Sequence, residues 1–239
     1  HSTMSSWGGP EGELPAMKNM LDQFAKPGTL VAVVSDTYDI YNACTNYWGD
    51  KLKQQVLDSG ATIVVRPDSG HPPTMVVEVL DMLDESYGST INSKGYKVLH
   101  DSIRVIQGDG MDVEMLVEVL DEIKASGYSV ENLAFGCGGG LLQKMDRDTQ
   151  KFAQKASAVC VDGKWIDAFK DPVTDKGKIS KKGRLALYRD TITNDYITGR
   201  GSQAESHHST YDPVLETVFL NGKVVKEYHF DEVRSNSEL

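Results

Sequence analysis

The sequence has 239 residues, with 25 Lys and Arg against 35 Asp and Glu and a formal net charge of -10. Hydrophobic residues at 39% and charged residues at 25% are globular proportions, which excludes a disordered or fibrous chain. No run approaches the ~18 apolar residues of a membrane span, and the acidic balance disfavours nucleic acid, whose phosphates call for Lys and Arg.

The opening HSTMSSWGGPEGEL lacks a signal-peptide core. Cys44, Cys137 and Cys160 are too few and too far apart for a disulfide framework or a four-ligand zinc site, so free thiols in a reducing cytoplasm are expected. In chain order, LVAVVS (Leu30 to Ser35) is a β-branched apolar run that predicts a buried strand. Tyr38 to Leu57 carries apolar residues at helical spacing. Thr62 to Val65 predicts a second strand that runs into RPDSG. Thr74 to Tyr87 predicts a helix with Met75, Val76, Val79, Leu80 and Leu83 on one stripe. After the polar stretch YGSTINSKGYK, SIRVIQGDG predicts a third strand and Asp112 to Ser126 a further helix. NLAFGCGGG predicts a fourth strand that ends in glycines.

Strand–helix alternation of this kind predicts parallel strands with crossover helices, as a doubly wound sheet or a barrel. Beyond about Phe152 the pattern turns β-rich. Hairpins are expected around Asp162-Gly163 and Asn221-Gly222, and a short helix at the end. The expected division is a βα region over residues 1–150 and a β-rich region over 151–239.

All four strands end in polar chemistry: SDTYD, RPDSG, QGDG and GCGGG. In parallel βα folds such ends gather on one side. The glycine run lets backbone N–H groups approach an anion, and phosphate is its natural occupant. It matches neither G-x-G-x-x-G nor a P-loop. Asp68 and Asp109 could accept hydrogen bonds from sugar hydroxyls or hold hydrated Mg²⁺. Arg66 could stack on a planar ring or form a structural ion pair with Asp68. Arg147, Lys155 and the cluster Lys176, Lys178, Lys181, Lys182 and Arg184 could serve a polyphosphate or form a solvated loop. His71, His100, His207, His208 and His229 lack metal-ligand spacing. Cys137 is expected to be a packing residue, since no nearby base in sequence activates it.

VVSDTYDIYNAC, VVRPDSG, NSKGYK, RVIQGDG, ENLAFGCGGGLLQK, FKDPVTD, SKKGRLAL and TVFLNGKVVKEYHFDEVR, with HSTMSSWG at the start, together resemble the nicotinamide phosphoribosyltransferase family. The resemblance implies an irregular α/β, TIM-like barrel with an appended β-rich region. It implies transfer of a phosphoribosyl group from phosphoribosyl pyrophosphate to nicotinamide, giving nicotinamide mononucleotide and pyrophosphate with Mg²⁺. In that family the HSTMSSWG segment lies mid-chain, so a C-terminal half is expected. The N-terminal half would carry the base-stacking aromatic residue and the base-recognising aspartate, and the enzyme would be a homodimer with shared sites. A barrel half alone is expected to be insoluble or inactive.

By position, the resemblance makes His1 the active-site histidine that ATP phosphorylates and Asp39 the carboxylate beside it. Ser35 would bind the carboxamide, and Arg66 would pack on the pyridine. Asp68 and Asp109, with Gly108, would hold the ribose hydroxyls, with Mg²⁺ bound through water near Asp39 and Asp68. Gly138 and Gly139 would bind the 5′-phosphate, with Arg147, Lys155 and Lys178 around the phosphates and Arg104 near the ribosyl site. Ala153 departs from the family pattern, standing where a serine helps bind phosphate. The rivals are a nicotinate phosphoribosyltransferase and a non-catalytic nucleotide-binding regulator.

Overall fold

The computed structural model describes residues 1–142, 154–200 and 210–237. Two compact units emerge, His1–Gly183 and Arg184–Leu239. The first opens with α1 (Ser2–Ser5) and α2 (Glu13–Phe24), then β1 (Leu30–Val34). There follow α3 (Ile40–Asn42), a π-helix (Ala43–Lys51), α4 (Lys53–Ser59), β2 (Thr62–Arg66) and α5 (Pro72–Tyr87). The hairpin β3 (Ser89–Ile91) and β4 (Lys97–Leu99) leads to β5 (Ile103–Gln107), α6 (Val113–Ala125), β6 (Leu133–Phe135) and α7 (Gly139–Leu142). The hairpin β7 (Ala158–Val161) and β8 (Lys164–Asp167) and a 3-10 helix (Lys176–Lys178) complete this unit.

β1, β2, β5 and β6 form one parallel sheet in that order, so each new strand adds to the same edge with no reversal. Among the described residues the sheet does not close, and β1 and β6 remain edges. Val31, Val33, Ile63, Val65, Ile103 and Val105 are buried on one face, in register across the strands. The stripe expected on α5, Met75, Val76, Val79, Leu80 and Leu83, is buried with them in a single core. Each such side chain contributes about 1.5–3 kcal/mol.

Local chemistry sets the boundaries. Pro72 and Pro73 start α5, where the missing N–H groups cost nothing, and the Asp112 carboxylate caps α6 by accepting from the Met115 amide at 3.0 Å. Asp162-Gly163 and Asn221-Gly222 take positive φ, as tight hairpin turns require.

The single helix expected over Tyr38–Leu57 is instead three pieces around the π-helix. Its widened turns seat Trp48 wholly inside, where the indole N–H donates to Ser35 Oγ at 3.0 Å. Gly49 fits because a Cβ there would collide with Ser86 and the Cys44 carbonyl.

In the second unit, β9 (Leu185–Asp190) lies between β10 (Tyr196–Arg200) and β11 (Tyr211–Pro213), both antiparallel to it. A hairpin of β12 (Phe219–Leu220) and β13 (Lys223–Val224) and the helix α8 (Phe230–Ser237) follow. No helix among the described residues is long and apolar enough to cross a membrane.

Candidate functional site

Because β1, β2, β5 and β6 run parallel, their carboxyl ends deliver residues 35–39, 67–70, 108–111 and 136–140 to one end of the sheet. A loop from Lys170 to Lys178 joins them. The Asp171 amide donates to the Thr37 carbonyl at 2.9 Å, and the Val173 amide to the Tyr38 carbonyl at 2.8 Å.

Asp68 is the hub. Its Oδ2 lies 2.9 Å from His1 Nε2 and 3.7 Å from Lys170 Nζ, and its Oδ1 accepts from Arg66 at 2.8 Å. The other nitrogen of the His1 ring lies 3.1 Å from Thr37 Oγ1, so the imidazole is held from both sides. Lys178 reaches across, donating to the Asp68 carbonyl at 3.1 Å and pairing with the Asp109 carboxylate. One ammonium therefore ties together the loops after β2 and β5. A cleft of ≈ 270 Å³ opens beside this cluster, lined in part by His1, Met20, Ala32, Val34, Arg66 and Asp68.

The glycine turn passes close to the β5 loop. A Cβ on Gly136 would stand 3.4 Å from the Gly108 Cα, and one on Gly140 would meet the Met111 carbonyl at 3.0 Å. Gly140 is explained by backbone approach, whereas Gly108 and Gly136 stand in ordinary contact with each other. Gly138 has nothing within 4 Å, so its backbone lies open to a ligand. Gly139 begins α7. Lys155 is within electrostatic reach of His1.

Three expected site residues make other contacts. The carboxylates within 4.0 Å of the His1 ring are Asp68 and Asp36, whereas Asp39 caps α3 by accepting from the Tyr41 and Asn42 amides at 3.0 and 3.1 Å. Ser35 is 0% exposed, and its hydroxyl is used up by the Val33 carbonyl and the Trp48 indole, which leaves no surface for a carboxamide. Arg104 lies near the amino end of β5 and turns its guanidinium back onto the carbonyls of Leu99, His100 and Ile103. Arg147 and Ala153 lie outside the described residues.

Of the basic cluster, Lys176 pairs with Asp171 at 2.6 Å, Lys182 stands 4.4 Å over the Phe169 ring, and Lys178 is directed at the two aspartates. Cys44 is buried, and burial pushes its thiol up, away from nucleophilic use.

Several participants were not picked out from sequence. Lys170 is a cation only 4% exposed, placed on Asp68. Gln107 donates to the Asp109 carbonyl at 2.9 Å. Asp36 is 1% exposed and accepts from the Asp68 amide at 2.9 Å and from the Ser69 hydroxyl. Burial pushes the Asp36 carboxyl above its ordinary range, against the pull of those two hydrogen bonds. Glu13, 2% exposed, is pushed up to about 8 by burial and then by the charges of Asp36 and Asp39, with the Tyr38 amide opposing. Asp36 lies between two residues that drew attention, Ser35 and Asp39, and its place beside a strand end was the available signal.

Residues 1–222 match the nicotinate phosphoribosyltransferase (NAPRTase) family. The chain belongs to that family. It is 52% identical over 238 residues to a nicotinamide phosphoribosyltransferase of Xanthomonas campestris pv. campestris, covering 100% of this chain and 50% of that protein. Proteins of the same name from Mycoplasma pneumoniae and Acinetobacter baylyi are 36% and 32% identical, over 77% and 98% of this chain and 43% and 49% of their own lengths. The chain thus spans about half the length of the curated relatives it matches.

Phosphoribosyltransferases of such families work with Mg²⁺. Among the described residues no three His, Cys, Asp or Glu side chains form a metal cage. Asp39, Asp68 and Asp109 each partly face solvent at the strand ends, and Asp39 Oδ1 also accepts from the Tyr41 and Asn42 amides. That donor set fits a hydrated ion held through water and not a caged one.

Proposed function

We propose that this chain carries the phosphoribosyl site of an enzyme that joins phosphoribosyl pyrophosphate and nicotinamide, giving nicotinamide mononucleotide and pyrophosphate in NAD biosynthesis. The observation that supports this most is the meeting of His1, Arg66, Asp68, Asp109 and Lys178 at the strand ends. The relatives' printed names favour nicotinamide over nicotinate.

In this assignment the ring nitrogen attacks C1 of the ribose, and the C1–O bond to pyrophosphate breaks with its electron pair going to the departing oxygen. No protein nucleophile is needed. Arg66, Lys155, Lys170 and Lys178 stabilise the charge that builds on pyrophosphate, and Asp68 and Asp109 fix the ribose hydroxyls near the positively charged carbon. The amides around Gly138 and Gly139 hold the 5′-phosphate, so both ends of the sugar are set before the base attacks. Mg²⁺, held through water by Asp68 and Asp109, would add positive charge at the pyrophosphate. Arg66 beside the cleft would cover one face of the pyridine.

ATP would pass its γ-phosphoryl group to a nitrogen of the His1 ring, which Asp68 and Thr37 orient, releasing ADP, and the added charge would alter pyrophosphate affinity. The parallel sheet would be one wall of a barrel completed by the N-terminal half of the same polypeptide, in a homodimer with shared sites. Turnover of nicotinamide and nicotinate by the full-length protein tests the base assignment. Nicotinamide is expected to be preferred, and equal or better use of nicotinate would overturn it.

A further inference from the structure

The buried carboxylate of Asp36 touches nothing that an apolar core needs. Its Oδ2 accepts from the Asp68 amide at 2.9 Å and from the Ser69 hydroxyl. Ser69 Oγ is in turn hydrogen-bonded to Thr174 Oγ1 in the loop that ends at Lys178. Asp36 Oδ1 has no hydrogen-bond partner among the described residues and stands 4.0 Å from His1 Nε2. A buried charge is expensive unless its bonds hold something in place. Here those bonds reach three loops: the one after β1 that carries Asp36 itself, the one after β2 that carries Asp68, and residues 170–178.

We propose that Asp36 is a positioning residue, a latch that sets Asp68 and, through Ser69 and Thr174, the loop bearing Lys178 in their gripping geometry. It touches neither sugar nor base. Asp68 and Lys178 are separated by 110 positions, and the relay Asp36–Ser69–Thr174 joins their loops independently of the Lys178–Asp68 bond. The kinetic part of this proposal rests on the phosphoribosyl transfer proposed above, while the structural part does not.

The test compares Asp36→Ala, Asp36→Asn and Ser69→Ala in the full-length protein, by amide hydrogen exchange and by steady-state turnover. Asp36→Ala is expected to speed exchange of the Asp68 amide and of residues 171–175, leaving 30–34 and 62–66 unchanged, and to lower kcat/KM about 100-fold. Asp36→Asn is expected to recover at least about tenfold of that loss, because its amide oxygen still accepts from both donors. Ser69→Ala is expected to lose about tenfold, with faster exchange confined to 171–175. It carries the test if Asp36→Ala does not fold.

Unchanged exchange at Asp68, kcat/KM of Asp36→Ala within about twofold of wild type, or Asp36→Asn as damaging as Asp36→Ala would each overturn the latch. For Ser69→Ala the overturning result is unchanged exchange and turnover. A wild-type protein that makes no nucleotide while the exchange differences hold would contradict the proposed function and confirm the latch.

Discussion

The loops after β2 and β5 each present an aspartate, yet they are held very differently. Asp68 is bound at its carboxylate by His1 and Arg66, with Lys170 3.7 Å away, at its amide by Asp36 and at its carbonyl by Lys178. Asp109 has the Lys178 ammonium on its side chain and the Gln107 amide on its carbonyl. The β2 loop is preformed before any ligand arrives. The β5 loop depends on an ion pair that a charged ligand can replace, with glycines at 108 and 136 packed back to back behind it. Asp68 therefore acts as the fixed jaw and Asp109 as the adjustable one, with Lys178 as the tie between them.

Breaking the fixed jaw has the largest expected effect. Asp68→Asn in the full-length protein removes the charge facing Arg66 and Lys170, and kcat/KM for nucleotide formation is expected to fall about 10³-fold. Cutting the tie comes next. Lys178→Met is expected to lose about 10²-fold, and Lys178→Arg to recover only part of it, since a planar fork does not replace a compact ammonium set between a carbonyl and a carboxylate.

Arg104 sharpens the comparison from outside the site. Arg104→Ala is expected to leave kcat/KM within about twofold while lowering stability by about 2 kcal/mol, read by denaturant unfolding, because three backbone carbonyls lose their donor. Its ion pair with the exposed Asp101 adds little.

Glu13 acts on stability through pH. A carboxyl raised to about 8 from 4.5 favours the folded state most when neutral, so its contribution is complete below the unfolded value and fades as pH rises through about 8. Melting curves are expected to lose about 1 kcal/mol per pH unit across that window relative to Glu13→Gln, which should be flat there.

The strands of the central sheet were legible because continuous β-branched runs such as LVAVV and TIVV have few other ways to be buried. Asp-Gly and Asn-Gly announced their hairpins through the positive φ those pairs tolerate. The α5 stripe declared its buried face by spacing alone. The π-helix was hidden, because its register comes from fitting Trp48 under Ser35 and not from apolar spacing.

Asp68, Asp109 and Arg66 were legible because strand ends converge, whereas Lys178 was one of a run of cations. Arg104 stands apart from the strand ends: at about 3.3 Å per residue it lies about 10 Å back along β5 from Gln107. Lys170 and Asp36 looked like ordinary loop charges, and only the packing of loops distant in sequence buries them.

The most direct test of the two-jawed grip is the rate at which full-length protein forms nicotinamide mononucleotide from phosphoribosyl pyrophosphate, nicotinamide and Mg²⁺, for wild type against Asp109→Asn. A loss of about 100-fold or more with the melting curve unchanged is predicted. An Asp109→Asn enzyme as fast as wild type would contradict the grip.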